Sequence, residues 1–221
     1  MTIPEGVRPF ANVIWNLFLA FIPVVLAAIL ARAVVAFKSV TIRAAVLIAV
    51  MPVWLVFLPN TCYLFTEWRH YLETLEATDA YAQALRSHHA MAHLLASTLF
   101  YACYTGAGLI AFFLSVWPLE ILVRKRWPVG ALIAKIIGFP LCALGVYLGL
   151  IHRFNTWDLL HHHLLRTILD ISAQAVSNRY TCSLILVFSI FLAVLYWAFD
   201  IWMEGFQHRE AVRQQRKERK A

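Results

Sequence analysis

At 221 residues, 62% hydrophobic and only 14% charged, with a mean hydropathy of +0.70, the chain cannot cover a water-soluble globule with the usual density of charge. Lipid must solvate much of it. The length is one domain-sized unit, and five helices of ~20 residues crossing a ~30 Å hydrocarbon core use about half of it, leaving loops, interfacial helices and a tail for the rest.

The first apolar stretch, about residues 9–31, is interrupted only by Asn16 and Pro23 and is ended by Arg32. A cleaved signal peptide is the competing reading. Its positive n-region would be Arg8 alone, balanced by Glu5, and its apolar core exceeds the ~7–15 residues usual for one, so a span is expected. The second stretch, about 44–66, is charge-free, but Pro52 and the Pro59-Asn60 pair should kink or break it before its end. Residues 71–92 read as a helix, with Leu72, Leu75, Tyr81, Ala82 and Leu85 at broadly helical spacing. A third span, 94–119, is long enough to tilt. The fourth, 127–151, carries Lys135 near its start, where a long side chain can snorkel to the interface. Residues 164–176 place Leu164, Leu165, Ile168, Leu169, Ala173 and Val176 on one face and Arg166, Thr167, Asp170 and Gln174 on the other, the pattern of a helix lying along the interface. Residues 180–199 close the set.

The expected fold is therefore all-α: a polytopic bundle of about five transmembrane helices plus interfacial helices on the outer side, with 1–206 as one transmembrane domain and 207–221 as a basic cytoplasmic tail. Orientation follows from the basic residues of the short flanks. One side holds six: Arg8, Arg69, Arg86, Arg153, Arg166 and Arg179. The other holds twelve: Arg32, Lys38, Arg43, Arg124, Lys125, Arg126, Arg209, Arg213, Arg216, Lys217, Arg219 and Lys220. This bias puts the N-terminus out and the C-terminus in, and makes the net charge of +7 mostly a property of the inner face. Held against anionic lipid, a basic segment beside a membrane gains ~1 kcal/mol per basic residue. Anionic lipid is thus the expected partner of the tail, and nucleic acid is not.

The four cysteines, Cys62, Cys103, Cys142 and Cys182, form no C-x-x-C and lie in or beside apolar segments, where a thiol behaves as a small hydrophobe. Cys62 and Cys182 both fall toward the outer side, where an oxidising compartment could join them. Gly145 and Gly149 suit close helix packing.

Polar chemistry is concentrated where the second and fourth spans meet their outer loops, in PNTCYLFTEWRH (59–70) and HRFNTWDLLHHH (152–163). Each segment has an Asn, an Arg, a Thr, a Trp and an acid followed three residues later by His: Glu67 with His70, and Asp158 with His161. On a helix that spacing puts carboxylate and imidazole on one face, and facing Glu-x-x-His pairs are one way to build a metal site in a bundle. Three readings stay open. The cluster can be structural, with acids pairing to Arg69 and Arg153 and with Asn60 and Asn155 meeting broken helix ends. It can be a substrate or ion site, with Glu67, His70 and Asp158 as acid–base groups and Asn16, Asn60, Thr66, Tyr147, Arg153 and Asn155 as binding groups, an Arg beside asparagines being suited to a phosphate or carboxylate. It can be a metal site on His70 and His161. Asn16, a lone amide in the first span, must be bonded and is expected to reach the same cluster. The residues name no cofactor.

NLFLAFIP (16–23), WLVFLPNTCYLFTEWRH (54–70) and GVYLGLIHRFNTWD (145–158) together resemble the three characteristic segments of the bacterial membrane proteins grouped as the domain of unknown function 1361 family. The matching positions are Asn16, Leu19, Ala20 and Pro23; Phe57, Pro59, Asn60, Tyr63, Thr66 and His70; and Gly145, Tyr147, Leu148, Gly149, Arg153, Asn155, Trp157 and Asp158. Glu67 stands where the family pattern has Asp, Thr156 where it has Ser, and Leu150 where it has an Arg. The loss at Leu150 removes one arm of a two-arginine anion clamp. The resemblance implies a bacterial inner-membrane protein but no reaction. From the residues, the leading expectation is a protein that binds and modifies a lipid or lipid-linked substrate from the outer side; the alternative is a non-enzymatic transporter or an accessory subunit beside a membrane-protein partner.

Overall fold

The computed structural model describes residues 8–154 and 162–218, and within them every regular element is helical: α1 (Arg8–Ala36), α2 (Val40–Phe57), α3 (Pro59–Tyr63), a 3-10 turn (Leu64–Thr66), α4 (Glu67–Ala77), α5 (Ala80–Arg86), α6 (His88–Arg126), α7 (Pro128–Ile151), α8 (His162–Ser177) and α9 (Arg179–Glu218). Among the described residues five stretches are long and apolar enough to cross a bilayer: Ala11–Ala36, Val40–Ala77, His88–Arg126, Pro128–Ile151 and Arg179–Lys217. The chain is a multi-pass, all-α integral membrane protein.

Lipid tails are as apolar as leucine, so these helices associate through close fit rather than through hydrophobic burial. On α1 the buried residues Ala20, Ala27, Leu30 and Ala33 recur at helical spacing, mostly small, and α1 packs along α6 and α2. A β-carbon added to Gly108 of α6 would fall 2.7 Å from both Leu64 Cβ and the Thr61 carbonyl oxygen, so only a glycine lets α6 approach the α3 turn this closely. The central core gathers Leu58, Cys62, Phe112, Phe139, Cys142 and Leu192 where α3, α6, α7 and α9 meet. α8 rests on α7 and α9.

Several boundaries differ from the sequence expectation. The helix expected over 71–92 is divided, because Asp79 adopts a left-handed backbone (φ 46°) and Ser87 an extended one (φ −146°); Asp is among the few non-glycine residues that visit the left-handed region. The last span does not stop near 199. α9 runs for 40 residues, ~60 Å at the 1.5 Å rise of a helix, so Gln207 lies inside a helix. The run from Gln207 to Glu218 is rich in Arg, Gln, Glu, Lys and Ala, which favour the helix, and has no proline. Cys62 has Cys142 as its buried neighbour, Sγ to Sγ 3.5 Å, and all four cysteines are free thiols. The fold therefore sets Cys62 beside Cys142 rather than joining it to Cys182.

Candidate functional site

The break in the second span is the local event that builds a site. Pro59 has no N–H, and Thr61 N bonds the Leu58 carbonyl at 3.1 Å instead of reaching one residue further back. The Phe57 carbonyl then receives the Asn60 side-chain amide at 3.1 Å, and the Thr61 hydroxyl donates to the Leu58 carbonyl at 2.7 Å. Side chains thus satisfy backbone groups that lipid would leave bare. Thr66 does the same, donating to the Tyr63 carbonyl at 2.7 Å. The segment then continues into α4.

Glu67, the first residue of α4, accepts a hydrogen bond from Asn16 Nδ2 of α1 at 3.3 Å. The lone amide of the first span has its partner across the bundle. The buried Tyr104 hydroxyl of α6 stands beside this pair and feels the Glu67 charge, without a well-formed hydrogen bond of its own. Arg69 does not pair with Glu67. It bonds Glu73 at 2.7 Å, one turn up α4, and His70 Nδ1 shares the same carboxylate at 3.4 Å. These three side chains are exposed on the outer turn of the helix.

From the fourth span, α7, Gly145 meets the proline directly: an added Cβ would lie 2.4 Å from Pro59 Cγ. Gly149, one turn on, has ordinary room, its added Cβ falling 3.7 Å from the Tyr63 ring. Beyond Ile151 the helix closes with His152 N and Phe154 N both bonding the Leu148 carbonyl, at 3.2 and 3.4 Å. Between them Arg153 takes φ 55°. A left-handed residue just past the last turn is a common helix terminator, but glycine normally fills it. An arginine there carries a steric cost of ~1–2 kcal/mol.

These elements enclose a cavity of about 600 Å³ in the cleft that α1 and α7 leave open, since both pack on α3 and scarcely touch each other. Its walls are mixed. Arg69, His70, Arg153 and the amides of Asn16 and Asn60 line it together with apolar side chains: Leu19 and Val56 lie one turn further into their helices than Asn16 and Asn60, and Val146 two turns further into α7 than Arg153. Of the residues expected to act together, Asn16, Asn60, His70 and Arg153 reach this cavity, while Glu67 stands one hydrogen bond behind its wall. Thr66 is turned to its own backbone. Tyr147 is not brought in either: two residues from Gly145 and Gly149 on a 3.6-residue helix it points the other way, and it packs beside Ala143, Ala175 and Ile185. Asn155, Asp158 and His161 lie outside the described residues, and with them the expected Asp158–His161 pair and the expected metal site on His70 and His161. Among the described residues no group of three or more His, Cys, Asp and Glu is placed to hold a metal.

Sequence reasoning misses two cavity residues, Tyr63 and Trp15, as binding groups. A signal for Tyr63 exists, one helical turn beyond Asn60. A larger omission lies at the opposite end of the bundle. Glu120, only 6% exposed, takes Lys135 Nζ at 3.2 Å and lies 3.7 Å from Arg124, whose guanidinium also reaches Asp200 at 3.1 Å and Glu204 at 3.6 Å. Trp117 Nε1 donates to Asp200 at 3.2 Å. Lys135 therefore does not snorkel: it turns inward, over the Tyr196 ring at 5.5 Å, and ties α7 to α6.

A family model described as a protein of unknown function (DUF1361) matches residues 15–213, and the chain belongs to that family. No curated protein and no solved structure matches it.

Proposed function

We propose that this member of the family binds a lipid or lipid-linked substrate in this cavity, from the outer leaflet of a bacterial cytoplasmic membrane, with its N-terminus outside and its C-terminus inside. The observation that carries this reading is a lining that combines the polar Arg153, His70, Asn16 and Asn60 with the apolar Leu19, Val56 and Val146, a match for an amphiphile with a polar head and apolar chains. The cleft between α1 and α7 gives such a molecule a way in from the side. His70, on the rim with its Nδ1 3.4 Å from Glu73, is the group placed to run acid–base chemistry on a bound head. The basic side chains Arg209, Arg213, Arg216 and Lys217 of α9 then face the cytoplasm, with anionic lipid as their partner.

Lipid carried through purification tests the reading. Full-length protein extracted in a lipid-preserving polymer should hold one lipid class enriched over the bulk membrane, and Arg153→Gln should remove the enrichment with the protein still folded. A lipid profile equal to that of the bulk, unchanged by the substitution, would count against the site.

A specific observation also favours the reading as an accessory subunit. Only 6% of the second span is buried, against 22–33% for the others, so α2 offers most of its surface to a membrane-protein partner. Transport finds less support, because the Asp, Glu, Lys and Arg side chains of the described spans gather at the two ends of the bundle.

A further inference from the structure

Resting on the lipid-site reading, the charged side chains of the cavity wall narrow the class of head it takes. Arg69 comes from α4 and Arg153 from the left-handed turn that closes α7, and both line the cavity together with His70. Among the described residues no Asp or Glu lines it. Tyr63, on the same wall, feels the charges of Glu67, Arg153 and Arg69, so both guanidiniums lie within electrostatic reach of one hydroxyl. The Glu67 carboxylate is engaged by Asn16. Glu73 takes Arg69 through Nε at 2.7 Å, which leaves the two terminal nitrogens of that guanidinium without a hydrogen bond among the described residues.

The donors decide between phosphate classes. Arginine binds phosphate through paired N–H groups on one planar edge. A phosphodiester offers two non-bridging oxygens and one charge, whereas a monoester offers three oxygens and about two charges. Two guanidiniums and a phenol brought from separate elements are matched more fully by the second. We propose that Arg69, Arg153 and Tyr63 clamp a terminal phosphate, a monoester or a diphosphate, at the end of an apolar chain that runs past Leu19, Val56 and Val146.

Phosphatidate, phosphatidylglycerol and phosphatidylcholine with the same short chains, titrated onto the purified full-length protein at mildly alkaline pH and read by native mass spectrometry, test the assignment. Phosphatidate, the one monoester, should bind about tenfold more tightly than either diester. Arg69→Gln, a change on the exposed outer turn of α4, should bring phosphatidate down to the level of phosphatidylglycerol and leave phosphatidylglycerol in place. Arg153→Gln should weaken all three. Equal affinity of the wild-type protein for phosphatidate and phosphatidylglycerol overturns the clamp and leaves the lipid site standing, and so does a phosphatidate preference that survives Arg69→Gln. Absence of binding by any of the three overturns both. Displacement of phosphatidate by an equal concentration of glycerol 3-phosphate, which has the phosphate and no chains, would assign the site to a soluble phosphate ester and overturn the proposal.

Discussion

Replacing Gly145 with Ala should damage the protein, and the same change at Gly149 should not. The Cβ introduced at position 145 would sit 2.4 Å from Pro59 Cγ and 2.8 Å from Pro59 Cβ. Carbon atoms rest at ~3.5–4.0 Å, so α7 must retreat from α3 by about 1 Å, and a proline ring has no rotamer with which to yield. Overpacking of this kind costs ~1–3 kcal/mol, and the gain in helix propensity from Gly to Ala, ~1 kcal/mol, offsets only part of it. At Gly149 the nearest atoms are 3.7 Å away in the Tyr63 ring, an ordinary contact, so the propensity gain should show nearly in full. Thermal unfolding in mild detergent, followed by size exclusion of the surviving fraction, should place Gly145→Ala below the wild type by several degrees and Gly149→Ala at or above it. Because the α3–α7 seam floors the cavity, Gly145→Ala should also weaken retention of the co-purified lipid. Equal melting of Gly145→Ala and wild type, or a worse result at Gly149, would refute the claim that this glycine sets the distance between the two spans.

Arg153→Gly should raise stability by ~1 kcal/mol, since glycine takes φ 55° freely, while removing lipid retention; a variant less stable than wild type would show that the arginine serves architecture. Glu120→Leu should cost ~3–5 kcal/mol by leaving the Lys135 ammonium without its carboxylate, and the double change with Lys135→Leu should recover much of that loss, a cycle readable from folded yield and melting. For topology, a reporter fused after Ala221 should read cytoplasmic and a tag near residue 80 should be accessible from outside; a cytoplasmic tag at residue 80 would invert the bundle.

The five spans and the two-sided sorting of polar residues are legible in hydropathy and charge alone, because a ~30 Å apolar core demands ~20 apolar residues whatever packs beside them. Their ends are not, since helices such as α6 and α9 continue past the lipid wherever helix-forming residues follow. The Asn60 cap and the Gly145 contact are readable as types of interaction, from a proline break and a small residue. Their partners are not, because Phe57, Pro59 and Gly145 meet only through the fold. Asn16 announces its need for a hydrogen bond, yet nothing in the chain between 16 and 67 points to Glu67. Glu120 escapes notice for a different reason: it closes an apolar run, and a terminal charge reads as an interface residue until Lys135 is seen turned toward it. Tyr147 joins the expected site by its place in a motif, although its offset of two residues from each glycine already sets it on another helix face.

Density in the cavity of the protein embedded in a lipid disc, at a resolution that shows headgroups, tests the central claim most directly. One lipid is expected there, with its headgroup beside Arg153 and a chain running past Leu19, Val56 and Val146. A cavity holding only water, with lipid confined to the outer faces of α1 and α7, would contradict the claim.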